Sequence, residues 1–158
     1  MIDEAMTEGM VLARAKEILE SVTDGTLLVM KGHLLIEEAL YRMVYTKLLQ
    51  PEFLNKANLR FSQLLHIARA LYPDDEVPAA VWEMVEALNT LRNRLAHHLE
   101  PSDLRSLLLK FTEIKPPPKV ASVDDPIIID RMGNIIAVLV GYYLARGSDG
   151  ASFRAQAG

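Results

Sequence analysis

The sequence predicts an all-α protein, an up-and-down bundle of about five to six helices. Apolar residues recur at spacings of three and four over most of its 158 residues, the periodicity of helices with one buried face. Half of the residues are apolar and 24% are charged, as in ordinary globular domains of this length. We predict one helical domain over residues 1–146, with a proline-rich connector at 115–126 and a flexible tail at 147–158.

Composition excludes several classes of protein. The chain has no cysteine, so it has neither disulfides nor thiolate metal sites. The net charge of −4 argues against a protein that coats nucleic acid, but it permits an enzyme with a local basic cleft. Asp3, Glu4 and Glu8 make the N-terminus acidic, unlike that of a signal peptide. We therefore expect a cytoplasmic protein.

The first half of the chain predicts three helices. Residues 10–22 place apolar side chains on one face, and residues 26–50 place them on most sides, which is typical of a central helix. Asp24 or the threonine before it is the expected N-cap of this second helix, and Pro51 ends it. After a loop, residues 60–71 form a shorter helix.

Polar residues interrupt the central helix at His33, Glu37 and Glu38. They form either a paired polar strip or a support, in which Glu37 or Glu38 orients an active-site side chain such as Arg92. His33 and Glu37 are spaced to give two metal ligands, but no clear third ligand is found. We therefore predict no metal site and no cofactor.

A fourth helix is predicted from Pro78 to His98. Its apolar residues, at 81, 84, 85, 88, 91, 95 and 99, fall within an arc of about 120°. Arg92 lies inside this arc, so its guanidinium must either reach an edge of the helix or meet an anion. Trp82 is expected in the core or at its edge, with stacking on a base as the alternative.

The remaining residues predict two more helices. Ser102 is the expected cap of a helix that ends near Phe111. The last helix starts at Asp125-Pro126 and is very apolar from 127 to 144, about the length of a membrane span. Three polar residues interrupt the first half of this apolar run: Asp130, Arg131 and Asn134. We therefore expect a core or subunit-interface helix and not a membrane-spanning one.

One motif carries chemistry: Leu91-Arg92-Asn93-Arg94-Leu95-Ala96-His97-His98. Its Arg92-Asn93-x-x-Ala96-His97 core resembles the R-x(4–6)-H signature of the HEPN domain family. The resemblance covers about eight residues in motif and roughly residues 10–145 in architecture. It implies a HEPN-like helical fold, frequently homodimeric. Many members of the family are metal-independent ribonucleases of toxin–antitoxin, antiviral or RNA-processing systems.

These residue types suit cleavage of RNA by its own 2′-hydroxyl, which leaves a 2′,3′-cyclic phosphate. We expect His97 to act as general base or acid, because imidazole titrates near neutrality. Arg92 would stabilise the phosphorane and Asn93 would position the phosphate. His98 is a second candidate histidine, and Arg94 either binds the RNA backbone or forms a surface pair. Arg92 and His97 lie about 140° apart on an ideal helix, so a homodimer with a shared cleft suits them better than one chain.

Other interpretations stay open at this stage. Arginine, asparagine and histidine near a helix end are also typical of residues that cap carbonyls and complement the helix dipole. A HEPN-like domain that only binds RNA or a partner is a second alternative. The Leu91-Arg92…His97 segment and the later proline cluster also resemble the all-helical mannitol-operon repressor family, which implies a regulatory protein. The remaining alternative is an antitoxin or scaffold protein that dimerises through the last helix.

Overall fold

The computed structural model describes residues 7–97, 102–113 and 122–156, with 148–156 as backbone only. In these ranges the chain forms six α-helices and one 3-10 helix, and no strand. The α-helices are α1 Glu8–Glu20, α2 Gly25–Lys47, α3 Phe61–Leu71, α4 Ala79–His97, α5 Leu104–Thr112 and α6 Pro126–Gln156, and the 3-10 helix is Pro51–Lys56. The predicted all-α class is confirmed.

Side-chain caps define where the first two helices begin. The Thr7 hydroxyl accepts a hydrogen bond from the Met10 amide at 3.4 Å, at the start of α1. Asp24 Oδ1 accepts from the Leu27 amide at 2.6 Å, which confirms Asp24 as the N-cap of α2. The prediction for Ser102 is wrong, because the residue that precedes α5 is Asp103, and it makes no side-chain cap bond.

Helix α2 is central, as its apolar pattern predicts. It packs against α6, α1, α3 and α4, and its buried residues cover about half of its circumference at about 100° per residue. Gly32 allows the close approach of α6, because a Cβ there would lie 2.4 Å from Ile136 Cδ1. The core of the protein therefore forms around the α2–α6 pair.

Helix α6 is long and apolar enough over Pro126–Gly147 to cross a membrane, by length and composition alone. A core helix has the same properties, and α6 buries Ile128, Met132, Ile136 and Val140 inside the protein. Its contacts with α2, α1 and α5 agree with the prediction of a core helix. The helix runs to Gln156, so it continues into the segment predicted as a tail, residues 147–158. The flexibility of the tail stays a prediction.

Helix α4 is anchored to this core by Trp82. The indole is fully buried, its Nε1 donates to the Val77 carbonyl at 3.2 Å, and its ring stacks on Tyr143 with centroids 5.6 Å apart. This confirms the core position expected for Trp82. Leu88 and Leu91, further along α4, are also fully buried. The buried face fixes the rotation of α4 and therefore the directions of its polar residues.

Candidate functional site

A cavity of about 350 Å³ lies where α2, α3 and α4 meet. We call it the Arg92 cavity. Besides Leu34, its lining residues are His33 and Glu37 from α2, Arg60, Phe61 and Ser62 from the start of α3, and Asn89, Arg92 and Asn93 from α4. Four of the residues singled out in the sequence, Arg92, Asn93, His33 and Glu37, are therefore brought to one place.

Helix α4 presents its polar residues to the cavity at helical spacing. Asn89, Arg92 and Asn93 are three and four positions apart, so they share one face of the helix. Arg92 is half-buried, and its Nη1 donates to the Asn93 Oδ1 at 3.0 Å. Arg92 starts inside the apolar arc of α4, and its guanidinium extends from there to the cavity. It thus avoids burial among the apolar side chains, as its charge requires.

His33 is the most buried polar residue of the cavity, with 5% of its surface exposed. Its Nε2 lies 3.0 Å from the Asn89 Oδ1, which can only accept, so the proton of the neutral ring is on Nε2. The ring packs on Phe61, with centroids 4.0 Å apart. Burial lowers the pKa of His33, the hydrogen bond with Asn89 opposes this, and the charge of Arg92 lowers the pKa further. His33 is therefore a neutral group that ties α2 to α4.

The two glutamates of α2 have different partners. Burial raises the pKa of Glu37, and the positive charge of Arg92 acts against that rise. No direct ion pair joins Glu37 to Arg92. Glu38 lies outside the Arg92 cavity and pairs with Arg14 and Arg42. Glu37 can act on Arg92 only through its charge, and Glu38 belongs to a separate ionic cluster.

The start of α3 adds positive potential to the cavity. Arg60 is exposed, and its amide donates to the Gln63 Oε1 at 2.9 Å, while the N–H groups of Phe61 and Ser62 have no intrahelical acceptor. Such N–H groups and the helix dipole favour an anion. The lining residues include two arginines, Arg60 and Arg92, and one glutamate, Glu37. The Arg92 cavity is therefore suited to a phosphate or another small anion.

His97 does not line this cavity. It is the last residue of α4 and is exposed, about 140° around the helix and about 7.5 Å along it from Arg92 in ideal geometry. Arg94 forms the surface pair anticipated as one of its two roles, with Nε 3.2 Å from the Asp103 Oδ2. His98 lies outside the described residues. One chain thus provides the Arg92 cavity and, separately, an exposed imidazole.

Sequence reasoning missed Arg60, Ser62 and Asn89 as members of the site. Asn89 shares a helix face with Asn93, which was a usable signal, but nothing in the sequence indicated that the start of α3 would reach α4. Within the described part of the chain, no group of three His, Asp or Glu residues is arranged to hold a metal ion. Comparisons with protein-family models, with curated proteins and with solved structures gave no match. The geometry and the motif therefore carry the functional argument.

Proposed function

We propose that the protein is a metal-independent endoribonuclease of the HEPN type, with RNA phosphate bound in the Arg92 cavity. The observation that carries the proposal is the grouping of Arg92, Asn93 and Arg60 around one cavity of about 350 Å³. Two guanidiniums suit phosphate oxygens, since each offers several N–H donors in a planar fork. The amide of Asn93, which accepts from Arg92, holds that fork in place.

The proposed reaction needs no added metal. A base takes the proton of the ribose 2′-hydroxyl, the 2′-oxygen bonds to phosphorus, and the bond from phosphorus to the 5′-oxygen breaks. An acid protonates that leaving oxygen, so the products are a 2′,3′-cyclic phosphate and a 5′-hydroxyl. His97 supplies the imidazole, a side chain that can act as a general base or a general acid. Arg92 stabilises the additional negative charge on the phosphorane.

Two copies of the chain form the active site in this proposal. His97 projects from a different side of α4 than Arg92, so one helix does not direct both at the same phosphate. In the proposed arrangement, a two-fold axis relates two α4 helices, and the His97 of one copy lies beside the Arg92 cavity of the other. We therefore propose a homodimer with a shared cleft. By the family resemblance, the enzyme is a cytoplasmic toxin of a toxin–antitoxin or antiviral system, held inactive by an antitoxin protein.

The test is cleavage of a DNA oligonucleotide that contains a single ribonucleotide, in the presence of EDTA. We expect one cut, after the ribonucleotide, with a 2′,3′-cyclic phosphate at the new end. The variant His97→Ala should lose activity by about 10²- to 10⁴-fold, as when a general acid–base group is removed. His66→Ala is the matched control, because His66 is also an exposed helical histidine, but it lies on α3 and has no role in the proposed reaction.

Two results contradict the nuclease proposal. One is an intact oligonucleotide after incubation with wild-type protein, and the other is equal cleavage by wild type and His97→Ala. An all-DNA oligonucleotide must stay intact, because it lacks the attacking hydroxyl. Both controls, the His66→Ala variant and the all-DNA oligonucleotide, are measured by the same gel assay.

The position of His97 favours one alternative, a HEPN-like module that binds RNA without cleaving it. The Arg92 cavity contains anion-binding groups, but its own histidine, His33, is buried and hydrogen-bonded to Asn89. A binding module retains the Arg92-dependent affinity for RNA and leaves the single-ribonucleotide oligonucleotide uncut. A regulatory protein similar to the mannitol-operon repressors belongs to the same alternative.

A further inference from the structure

A second cavity, of about 570 Å³, adjoins the Arg92 cavity along the outer face of α2. We call it the Tyr41 cavity. It is bounded by Leu34 and Tyr41 of α2, by Leu54 and Asn55 of the 3-10 helix, and by Asn58 and Leu59 after it. Leu34 and Glu37 line both cavities, so the two are neighbours along α2, and we call them together the groove. Their volumes fall in the range of sites that enclose small ligands, about 300 to 1,000 Å³.

The two ends of the groove differ in chemistry. The Arg92 cavity contains two guanidiniums, whereas no lysine or arginine lines the Tyr41 cavity. The Tyr41 cavity combines aliphatic side chains with a phenol and two amides. Two carboxyl groups also line it: that of Glu38, which pairs with Arg14 and Arg42, and that of Glu37, where the two cavities adjoin. A groove that is cationic at one end and apolar with amides at the other is complementary to an anionic group joined to a flat heterocycle.

The amides of the Tyr41 cavity suit the edge of a nucleobase. The Tyr41 hydroxyl donates to the Asn55 Oδ1, which leaves the Asn55 amide nitrogen as a donor. Asn58 has a positive φ of 47°, a conformation that asparagine tolerates better than most residues. Each amide carries both donors and acceptors, and base edges present both as well.

Leu34 connects the two cavities and is 62% exposed. It lies on the central helix, where most other apolar residues are buried. A ligand that spans the groove covers this apolar surface. Glu37, which also lines both cavities, is the acceptor available to ribose hydroxyls at the same point.

We propose that the groove binds one nucleotide of a single-stranded RNA, with its phosphate in the Arg92 cavity and its base in the Tyr41 cavity. This inference deepens the proposed function and rests on it for the phosphate at Arg92. It assigns the ribose to the junction formed by Leu34 and Glu37. Recognition of the strand then depends on an unstacked base, as is general for proteins that bind single-stranded RNA.

The test is calorimetric titration of the full chain with AMP, ribose 5-phosphate and adenosine, up to millimolar concentrations. We expect AMP to bind at least about tenfold more tightly than ribose 5-phosphate, because the base contributes its own contacts. AMP should also bind more tightly than adenosine, which lacks the phosphate. Equal affinity for AMP and ribose 5-phosphate overturns the base site, and the absence of saturation by AMP overturns the groove as a nucleotide site.

Two variants locate the base. Asn58→Gly removes the amide at a position where the positive φ suits glycine, so the fold is retained. Leu34→Ala removes the exposed side chain at the junction, and Leu49→Ala is its control, because Leu49 is 98% exposed and lines neither cavity. Asn58→Gly and Leu34→Ala should each lower the affinity for AMP by severalfold. Asn58→Gly should leave the affinity for ribose 5-phosphate unchanged, and Leu49→Ala should leave the affinity for AMP unchanged. Unchanged AMP affinity in both groove variants contradicts the assignment.

The base site and the nuclease fail in different ways. Cleavage of the single-ribonucleotide oligonucleotide, with AMP and ribose 5-phosphate bound equally, overturns the base site and leaves the nuclease proposal standing. Selective binding of AMP without any cleavage overturns the nuclease proposal and leaves the base site standing. The groove then belongs to a nucleotide-binding module.

Discussion

Helix α2 has two faces that differ in composition and in what they contact. One face, at Gly32 and Ile36, is apolar, fully buried and pressed against α6. The other, at His33 and Glu37, is polar and turns toward α3 and α4, where it forms the floor of the Arg92 cavity. Neighbouring residues in the sequence thus belong either to the core or to the candidate site.

This difference predicts that packing stability and the proposed ligand binding depend mainly on separate residues of one helix. The α6 face has dense aliphatic packing, in which lost volume is costly. The site face has polar groups around a cavity, in which a changed side chain alters charge more than packing. Substitutions on the two faces should therefore have separable effects.

The largest effect is expected from Ile36→Ala on the core face. Ile36 is fully buried, so truncation leaves a cavity and should lower the free energy of unfolding by about 2 to 5 kcal/mol. Glu37→Ala, one position further on the site face, should change it by no more than about 0.5 kcal/mol. Urea unfolding followed by circular dichroism measures both. Equal losses in the two variants contradict the separation of the faces.

A smaller difference is expected between two glycines. In Gly32→Ala the new methyl group meets the buried Ile136, so the variant should be less stable by about 1 to 3 kcal/mol. In Gly133→Ala, on α6, nothing lies within 4 Å of the added carbon. That variant should be more stable by up to about 1 kcal/mol, because alanine is the better helix former. A stabilising Gly32→Ala in the same unfolding assay shows that the α2–α6 contact is looser than described.

Acid should lower the free energy of unfolding of the protein, because His33 becomes protonated more readily in the unfolded chain than in the folded one. Its pKa is lowered from 6.5 by burial, so its contribution is complete above pH 6.5. As the pH falls below that value, the unfolded chain takes up the proton first, and the free energy of unfolding declines until the pH passes the folded pKa. His33→Gln, which cannot titrate, should flatten this part of the pH profile of stability. An unchanged profile contradicts a buried neutral imidazole.

The contribution of Glu37 to stability changes with pH in the opposite direction to that of His33, so it needs its own control. Its pKa is raised from 4.5 by burial, so its contribution is present below pH 4.5 and is lost as the pH rises through the folded pKa. Glu37→Gln should therefore steepen the acid loss of stability that comes from His33. Comparing wild type, His33→Gln and Glu37→Gln separates the two groups in one set of melts.

The smallest effect is a shift in titration caused by Arg92. Its charge lowers the pKa of both His33 and Glu37, so Arg92→Gln should raise both pKa values. Stability should change little, because Arg92 is half-buried and not part of the aliphatic core. NMR titration of the His33 ring detects the shift. Arg69→Gln, which removes an exposed arginine that is paired with Glu86, should leave the titration unchanged.

Much of the fold was predictable from periodicity. The central position of α2, the Asp24 cap and the buried Trp82 all follow from patterns within one segment, and each is confirmed. Helix ends were less predictable, because capping depends on local geometry. Ser102 has the right chemistry for a cap, but Asp103 precedes the helix and makes no side-chain cap bond.

The candidate site was predictable only in part. Arg92 and Asn93 stood out because a charged residue inside an apolar arc requires a polar destination. Arg60 and Ser62 did not, since their proximity to Arg92 depends on how α3 packs against α2. The different surroundings of Glu37 and Glu38 also depend on packing, because the sequence makes them equivalent neighbours.

The most direct measurement is activity of a mixed dimer. Differently tagged Arg92→Gln and His97→Ala chains are co-expressed, purified through both tags and incubated in EDTA with the single-ribonucleotide oligonucleotide. If Arg92 of one chain and His97 of the other act on the same phosphate, the mixed dimer contains one intact site and recovers up to half of the wild-type activity per dimer. A mixed dimer as inactive as each parent protein contradicts the shared cleft.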